Sequence, residues 1–303
     1  MKNVLVIGGS YFVGRVFVEE LSKDNEYSIY VMNRGNKPLN LEGVQEIQCD
    51  RHDALTLEMA VPPLEWHALV DFCAYEPNDI EMLLYSLPGS LRHYIYFSTA
   101  TVHENAVELP MKEESTTLMG PLPGPHGDYG FKKWQTEIRL KKLCAEKDIP
   151  YTALRPSFVY GKYNYAPREA YFFKLLHENK PIVVPIAPQG LFSVVSVWDI
   201  ANLTKACIGN EKAFNRPFIL AADELVSYDR IVQVLEEITH QKLNPRRLSI
   251  AEIDQQRIPL PFPLEEHLIY SGEATKKAFE YEYMTFLEGM TKSYNHFFGI
   301  EKN

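Results

Sequence analysis

Short apolar runs alternate with amphipathic segments along most of this chain of 303 residues. That order predicts strands that alternate with helices. The first run, residues 4–7, leads into an amphipathic segment that extends to residue 21. Further apolar or alternating runs predict strands at 27–35, 44–50, 67–75, 94–97 and 149–161. We therefore expect an α/β fold built on a doubly wound parallel sheet.

Glycines stand between the first predicted strand and the first predicted helix: Gly8 and Gly9, followed by Gly14. Such glycines let the backbone bend sharply and approach a pyrophosphate, while the helix N-terminus offers free N–H donors and the positive end of its dipole. The position of this turn, directly after an apolar run, is typical of the first βα unit of a dinucleotide-binding domain. Tyr11 departs from the pattern, because a middle glycine is usual there.

The character of the chain changes near residue 164. Segment 170–181 predicts a helix and 181–186 a short strand, and two strand–helix pairs follow, one turning into its helix at Asp199 and one with Ser227 as the N-cap. We expect residues 1–163 to form an NAD(P)-binding Rossmann domain. Residues 164–303 would form a smaller mixed α/β C-terminal substrate lobe, with segments at about 190–225 returning to the Rossmann domain.

Composition narrows the classes of function. The hydrophobic content of 46% and the charged content of 23% are ordinary for a globular protein. The net charge of −9 argues against a general affinity for nucleic acid, because phosphate binding needs a cationic face. No apolar run reaches membrane-spanning length and no signal peptide is apparent, so we expect a cytoplasmic protein without membrane contact.

The four cysteines, Cys49, Cys73, Cys144 and Cys207, are widely scattered. They form no CxxC pair and show no metal-ligand spacing, so we predict no metal site. We expect them to be reduced and buried.

The end of the second predicted strand bears on the choice of cofactor. A site that prefers a ribose 2′-hydroxyl usually places Asp or Glu there, whereas a nearby Arg suits a 2′-phosphate. This chain has Asn33 and Arg34 at that place. Arg34 could pair with a phosphate through its forked donors, or it could be a surface residue in a turn. We expect NADP or NAD, with NADP favoured.

Other polar residues follow the later strands, at the sheet edge where ligands of open parallel sheets lie. Asp50, followed by Arg51, could accept a hydrogen bond from an adenine amino group or cap the next helix. Asp71 and Tyr75 stand at the end of the fourth strand, although Asp71 could equally be a hydrogen-bonded structural acid.

Three hydroxyl residues, Ser98, Thr99 and Thr101, follow directly after the predicted strand at 94–97. A helix follows with Asp128 as its expected N-cap, and on it Tyr129 and Lys133 are four residues apart, so they share one face. A phenol normally titrates near 10, but a neighbouring ammonium favours the phenolate and lowers its pKa. The pair could then move a proton to or from a carbonyl or carbinol.

Together, GGSYFVG, FSTATV, YGFKK, RPSFVYG and VSVWDIA resemble the short-chain dehydrogenase/reductase superfamily, in its extended branch of NAD(P)-dependent epimerases and dehydratases. Within that branch the chain is most similar to an atypical group. The group includes chloroplast stem-loop RNA-binding proteins and bacterial proteins called isoflavone-reductase-like. His103 departs from the epimerases, in which this position is often Tyr.

The resemblance implies roles for individual residues. Tyr129 would be the catalytic acid/base, Lys133 would lower its pKa and bind the nicotinamide ribose, and Thr99 would orient the substrate. The remaining cofactor contacts that it implies are Gly8, Gly9, Ser10, Tyr11, Phe12, Val13 and Gly14 at the pyrophosphate, Asn33 and Arg34 at the adenosine phosphate, Asp50 and Arg51 at the adenine, and Cys73, Ala74, Tyr75, Ser98, Pro156, Ser157 and Phe158 along the rest of the cofactor.

The sequence favours an NAD(P)-dependent oxidoreductase of the epimerase/dehydratase type, acting on a nucleotide sugar or another small carbonyl or carbinol. The alternative is a cofactor-binding RNA-associated or regulatory protein without turnover, and a redox-sensing binder is a third hypothesis. His126, close before Tyr129, is a further candidate for substrate contact. The resemblance also implies a homodimer.

Overall fold

The structure is a computed structural model that describes residues 1–105, 108–124, 127–186 and 188–300. His126 lies outside the described residues. The strands are β1 Lys2–Ile7, β2 Tyr27–Asn33, β3 Val44–Gln48, β4 Glu65–Trp66, β5 Ala68–Asp71, β6 Ser90–Leu91, β7 Tyr94–Phe97, β8 Tyr151–Pro156, β9 Phe158–Tyr160, β10 Val183–Pro185, β11 Phe192–Ser196, β12 Arg216–Leu220, β13 Leu225–Val226 and β14 Arg246–Leu248. The α-helices are α1 Phe12–Leu21, α2 Ala54–Ala60, α3 Pro77–Ser86, α4 Asp128–Glu146, α5 Glu169–His177, α6 Val197–Cys207, α7 Tyr228–Thr239, α8 Ile250–Gln255, α9 Glu273–Phe279 and α10 Phe286–Phe297.

A seven-stranded sheet in the order β12-β8-β7-β5-β1-β2-β3 forms the centre of the molecule. All of its neighbouring strands are parallel. The chain starts in β1, adds β2 and β3 on one side and then β5, β7, β8 and β12 on the other. The strand order therefore reverses between β1 and β5, and a crevice opens at their carboxyl ends. The predicted doubly wound α/β fold is confirmed.

Each face of the sheet is covered by helices, because the side chains of a strand alternate between the two faces. Val4 and Val6 of β1 pack with α1 and α6 on one face. Leu5 and Ile7 pack with α2, α3 and α4 on the other face. β1 can consequently be apolar at every position from 4 to 7, as a buried parallel strand requires.

The later part of the chain builds a smaller mixed lobe, as predicted. Its three-stranded sheet has the order β13-β11-β9, and α5, α7 and α10 enclose an aromatic-rich core. β12 pairs with β8 and so belongs to the main sheet, although it comes after β11 in the chain. The boundary at residue 163 stays a prediction.

Helix starts depend on small details of capping that the sequence pattern left open. Asp128 was expected to be the N-cap of α4, but Gly127 takes that position and Asp128 is the first helical residue. Ser196 caps α6 by accepting from the Asp199 N–H, so this helix begins two residues earlier than predicted. Ser227 caps α7 through the Arg230 N–H, as predicted.

Cys49, Cys144 and Cys207 are buried and free, as predicted. Cys73 differs, because it follows β5 at the open edge of the sheet and is only half-buried. Among the described residues, no helix combines the length and the apolar character that crossing a bilayer requires.

A buried ion pair connects the segment after β3 to the sheet. Both terminal nitrogens of Arg51 donate to the carboxylate of Asp71 at 2.9 Å, and one of them also donates to the Asp79 carbonyl. The Tyr94 hydroxyl and the Cys73 N–H donate to the same carboxylate. Of the two roles that the sequence allowed for Asp71, a ligand contact or a hydrogen-bonded structural acid, its contacts fit the structural acid. The Arg51 guanidinium is committed to it, so we withdraw that side chain from the predicted adenine contacts.

We expect Asp71→Asn to lower the free energy of unfolding by about 3–5 kcal/mol, because it leaves the buried Arg51 guanidinium without its counter-charge. Urea titration of the purified protein measures this change. Glu26→Gln is the matched control, since the Lys2–Glu26 pair is exposed and its loss should cost less than about 1 kcal/mol. Equal effects of the two substitutions would contradict the structural role of Asp71.

The contact between α1 and the glycine turn has no room for a side chain. A Cβ atom on Gly14 would overlap the Gly8 carbonyl oxygen and lie 3.1 Å from the Gly9 Cα, and neither backbone atom can move cheaply. Gly120 provides the contrast, because a Cβ there meets nothing within 4 Å.

Gly14→Ala should therefore destabilise the protein by about 1–3 kcal/mol, the usual cost of overpacking. Gly120→Ala should change stability by less than about 0.5 kcal/mol. Thermal or urea unfolding of the two variants side by side checks the prediction. A Gly14→Ala protein as stable as the unsubstituted chain would show that the turn and the helix can separate.

Candidate active site

A cavity of about 600 Å³ lies at the carboxyl ends of the central strands, where the strand order reverses. Its wall combines the glycine turn, the segments after β5, β7 and β8, the first turns of α4, and the loop before α5. The described residues that line it are Gly8, Tyr11, Phe12, Val13, Gly14, Phe72, Cys73, Tyr75, Phe97, Ser98, Thr99, Ala100, Thr101, Tyr129, Lys133, Pro156, Ser157, Phe158, Val159, Tyr165, Arg168 and Tyr270. Most of the predicted site residues therefore share one cavity.

The backbone of the turn explains how Tyr11 replaces a glycine. Tyr11 has a φ of −146°, extended backbone that any residue adopts. The left-handed conformations fall on Gly8, with a φ of +85°, and on Phe12, with a φ of +43°. A phenylalanine in that region is strained, and such strain is concentrated at functional sites. The turn therefore needs no glycine at position 11.

The Tyr11 side chain leaves the turn and joins a small stack. Its ring lies 5.6 Å from the ring of Tyr165 in a stacked arrangement, and the Lys37 ammonium lies 3.8 Å from its centroid. Phe12 also meets Tyr165, edge to face at 5.5 Å. The loop before α5 is thus packed against the turn that was predicted to bind a pyrophosphate.

The turn has the features that a dinucleotide requires. The N-terminus of α1 lines the cavity, and its backbone N–H groups are donors that a phosphate can use. Two hydroxyls predicted to touch the cofactor, those of Ser10 and Ser157, are buried and have no hydrogen-bond partner among the described residues. Since a buried hydroxyl is costly without a partner, these residues fit a ligand rich in acceptors and donors.

Thr99 and Tyr129 both line the cavity. The Thr99 hydroxyl is 2.9 Å from the Thr101 hydroxyl and accepts from the Thr101 N–H, which fixes it at the start of a 3₁₀ turn, Ala100–Val102. Gly130 follows Tyr129, and a Cβ there would overlap the Thr101 carbonyl oxygen. The absence of that side chain brings the start of α4 against the segment that carries Thr99.

The pKa of the Tyr129 hydroxyl is raised, whereas the sequence predicted it to be lowered. Burial against the cavity wall raises its pKa to about 12, although 42% of the residue remains exposed through the open cavity. The nearby phenol of Tyr165 also raises this pKa, whereas the charge of Arg168 and a hydrogen bond from Thr99 lower it. Lys133 does not lower it in the protein alone, which corrects the prediction from the four-residue spacing. The reason is where the ammonium points.

The Lys133 ammonium is buried and donates to two carbonyls, that of Ala74 at 2.8 Å and that of Phe97 at 2.7 Å. It also lies 4.8 Å from the ring centroids of Tyr75 and Tyr96. Burial lowers its pKa to about 8, against the opposing effect of Asp71. An ammonium has three N–H donors, so one remains for a ligand.

Ser98 has a structural partner as well as a place in the cavity wall. Its hydroxyl donates to the buried carboxylate of Glu137, which is paired with Arg155 at 2.7 Å. Arg155 also donates to His103 Nε2, and His103 Nδ1 lies 3.0 Å from the Ser115 carbonyl. This arrangement suits a neutral imidazole, and burial lowers the pKa of His103. His103 thus anchors the segment after β7.

The predicted adenosine end lies along the ends of β2 and β3. Arg34 and Asp50 are exposed there. Asn33 holds the bend by accepting from the Gly35 N–H at 2.7 Å, and its amide donates to Glu46. Glu46 also accepts from two backbone N–H groups, those of Leu39 and Asn40.

The other predicted cofactor residues are distributed along the crevice. Gly9 is buried beneath the turn, and Ala74 presents its carbonyl to Lys133. Cys73, Tyr75, Pro156 and Phe158 line the cavity. Burial raises the pKa of Cys73 to about 11, so its thiol is un-ionised at neutral pH.

The residues at the cavity that sequence reasoning missed include Lys37, Tyr165, Arg168 and Tyr270. The first packs on Tyr11, and the other three line the wall. Tyr165 and Arg168 follow the turn at Gly161, and that position, just after a strand of the Rossmann pattern, was the available signal. Tyr270 gave no signal, because only the folding of the C-terminal lobe brings it to the cavity.

Comparison with known proteins identifies the family of the chain. The model of the NAD dependent epimerase/dehydratase family matches residues 4–215. A chloroplast stem-loop binding protein of 41 kDa from Arabidopsis thaliana is 26% identical over 98% of this chain and 80% of its own length. A UDP-glucose 4-epimerase from Vibrio cholerae is 24% identical over 87% of this chain and 79% of its own length.

Solved structures share the fold. A UDP-glucose 4-epimerase from Thermotoga maritima superposes with a TM-score of 0.77 at 18% identity, over 98% of this chain and 99% of that one. A dTDP-glucose 4,6-dehydratase from Bacillus anthracis in complex with NAD gives 0.78 at 15% identity, over 99% and 98%. Together with the crevice, the glycine turn and the cavity, the match to this family supports a nicotinamide cofactor. The protein is an enzyme that belongs to the NAD dependent epimerase/dehydratase family.

Proposed function

We propose that the protein oxidises and reduces a small carbinol or carbonyl, of the nucleotide-sugar type, with Tyr129 as the acid/base. The observation that carries this proposal is that Thr99, Tyr129 and Lys133 line the same cavity as the glycine turn. When bound, a nicotinamide supplies the hydride donor or acceptor at its C4 atom. The chain supplies binding, orientation and the proton.

The proposed proton chemistry follows from the state of Tyr129. With a pKa of about 12, its side chain is a phenol at neutral pH and can donate a proton to a carbonyl oxygen while the adjacent carbon gains hydride. In the opposite direction the phenolate takes the hydroxyl proton as the carbon loses hydride. Nearby positive charge favours this phenolate, and the charge of Arg168 already lowers the pKa of Tyr129. Thr99 holds the reacting oxygen, and Lys133 offers its third N–H to the ribose.

Tyr129→Phe should lower kcat by about 10²–10⁴, the usual contribution of a positioned acid/base, and weaken NAD binding by no more than about tenfold, the loss of one hydrogen bond to the ribose. Reduced nicotinamide formed with a panel of nucleotide sugars and simple carbinols, followed by absorbance, gives the rate. Tyr85→Phe is the matched control, because Tyr85 is an exposed tyrosine on α3 outside the cavity wall. Full turnover by Tyr129→Phe would rule out this mechanism.

We also propose that the adenosine end prefers NADP. Arg34 is exposed at the end of β2 and has no ion-pair partner among the described residues. Glu46 is the carboxylate beside Asn33, and its oxygens are occupied by Asn33, Leu39 and Asn40. A 2′-phosphate would therefore meet a free guanidinium, which binds phosphate through paired N–H groups.

Calorimetric titration should show tighter binding of NADP⁺ than of NAD⁺. Arg34→Met should reduce the affinity for NADP⁺ by about tenfold, one charge-assisted contact, and leave that for NAD⁺ nearly unchanged. Arg92→Met is the control, since Arg92 is an exposed arginine paired with Glu65. Tighter binding of NAD⁺ than of NADP⁺ by the unsubstituted protein would show that Arg34 does not bind a 2′-phosphate and is an ordinary surface residue.

A second function is suggested by the name of the Arabidopsis relative, which is a stem-loop binding protein. The net charge of −9 disfavours an RNA-associated role for this chain. Retention of a stem-loop RNA that falls with rising salt would support that role, and its absence would remove it.

A further inference from the structure

The charges at the cavity wall are of one sign. Lys133 and Arg168 line it, and no Asp or Glu is among the described lining residues. Two of the three Lys133 donors are used by carbonyls. Arg168 is therefore the described lining residue that offers a cation with most of its donors unused.

The position of Arg168 is fixed by its backbone neighbours and by an aromatic ring. One of its terminal nitrogens donates to the Val159 carbonyl at 2.6 Å, and the guanidinium lies 5.5 Å from the Phe158 ring centroid. A guanidinium has five N–H donors, and this is the one hydrogen bond that the Arg168 side chain makes with the described residues, so four donors remain. The guanidinium is thus held in place at the cavity wall, with most of its N–H donors available to a ligand.

The carboxylate next in sequence does not neutralise Arg168. The two oxygens of Glu169 accept from the Gly161 N–H and from the Asn164 amide, each at 2.8 Å. No carboxylate within the described ranges lies within ion-pair distance of Arg168. Burial lowers the pKa of the Arg168 guanidinium, and the negative charges of Glu169 and of the Tyr165 and Tyr129 phenolates oppose this effect only in part.

Arg168 lines the same cavity as Tyr129. The positive charge of Arg168 lowers the pKa of Tyr129, which agrees with that placement. A group held by Arg168 would therefore belong to the molecule whose oxygen faces Tyr129. Guanidinium groups bind carboxylate and phosphate through two parallel N–H···O contacts, and these are strongest beside apolar walls such as Phe158.

We propose that Arg168 binds an oxyanion of the substrate, a carboxylate or a phosphate, and thereby selects anionic substrates for this enzyme. The inference rests on the proposed function, because it assigns the substrate class of the same cavity. Arg168 is thus a specificity-determining residue that neither donates nor accepts the transferred proton, although its charge favours the Tyr129 phenolate. Neutral carbinols of the same size would bind more weakly.

Calorimetry of the NAD-loaded protein with four probes tests the proposal: malonate, inorganic phosphate, UDP-glucose and UDP-glucuronic acid. We expect Arg168→Met to weaken oxyanion binding by about tenfold or more, Arg168→Lys to restore part of it, and NAD binding to stay within twofold. A larger loss for UDP-glucuronic acid than for UDP-glucose would identify a carboxylate. Equal losses for both nucleotide sugars would identify a phosphate.

Arg216→Met is the matched control, because it also removes an arginine beside a phenylalanine ring, 4.7 Å from Phe218, outside the cavity wall. Unchanged affinities in Arg168→Met, or no binding of any probe by a wild-type protein that binds NAD, would overturn the proposal and leave the proposed function standing. A loss confined to NAD affinity would also overturn it, since Arg168 would then pair with the cofactor pyrophosphate. Failure of the wild-type protein to bind NAD would instead refute the proposed function.

Discussion

The buried ammonium of Lys133 is the interaction on which the site depends. It extends from α4 to the carbonyls of Ala74 and Phe97, which follow or end two neighbouring strands of the sheet. Hydrogen bonds from a charged donor are stronger than neutral ones, and burial strengthens them further. A single side chain therefore holds the helix that carries Tyr129 at the crevice between the strands. The cost of burial appears in its lowered pKa of about 8.

Two further buried ion pairs lie at the same edge of the sheet and hold the ends of its strands. Arg51 joins Asp71 at the end of β5, and Arg155 joins Glu137 next to Ser98. Both pairs are buried and share their oxygens with hydroxyl or backbone donors, which is what makes a buried charge tolerable. The strand ends are thus held by polar contacts, while the faces of the sheet are held by apolar packing. The loop that carries Arg168 lines the same cavity as these strand ends.

The parts of the site that depend on local spacing could be predicted from sequence. The glycine turn follows an apolar strand directly, and Tyr129 and Lys133 share a helix face because they are four residues apart. The direction of the Lys133 ammonium could not be predicted, since its acceptors are residues 59 and 36 positions away in the chain. The adenine contact predicted for the Arg51 side chain failed for the same reason, because its partner Asp71 is 20 positions away in the chain. Arg168 could not be predicted either, because only the folded path of the chain after β9 brings it to the cavity.

We propose that this cavity holds the nicotinamide end of the cofactor between Lys133 and Tyr129. A crystal structure of the protein with NAD is the most direct test. We expect a ribose hydroxyl within hydrogen-bond distance of the Lys133 ammonium and of the Tyr129 phenol, and the pyrophosphate on the N-terminus of α1. A dinucleotide bound elsewhere, or a ribose out of reach of both side chains, would contradict this placement.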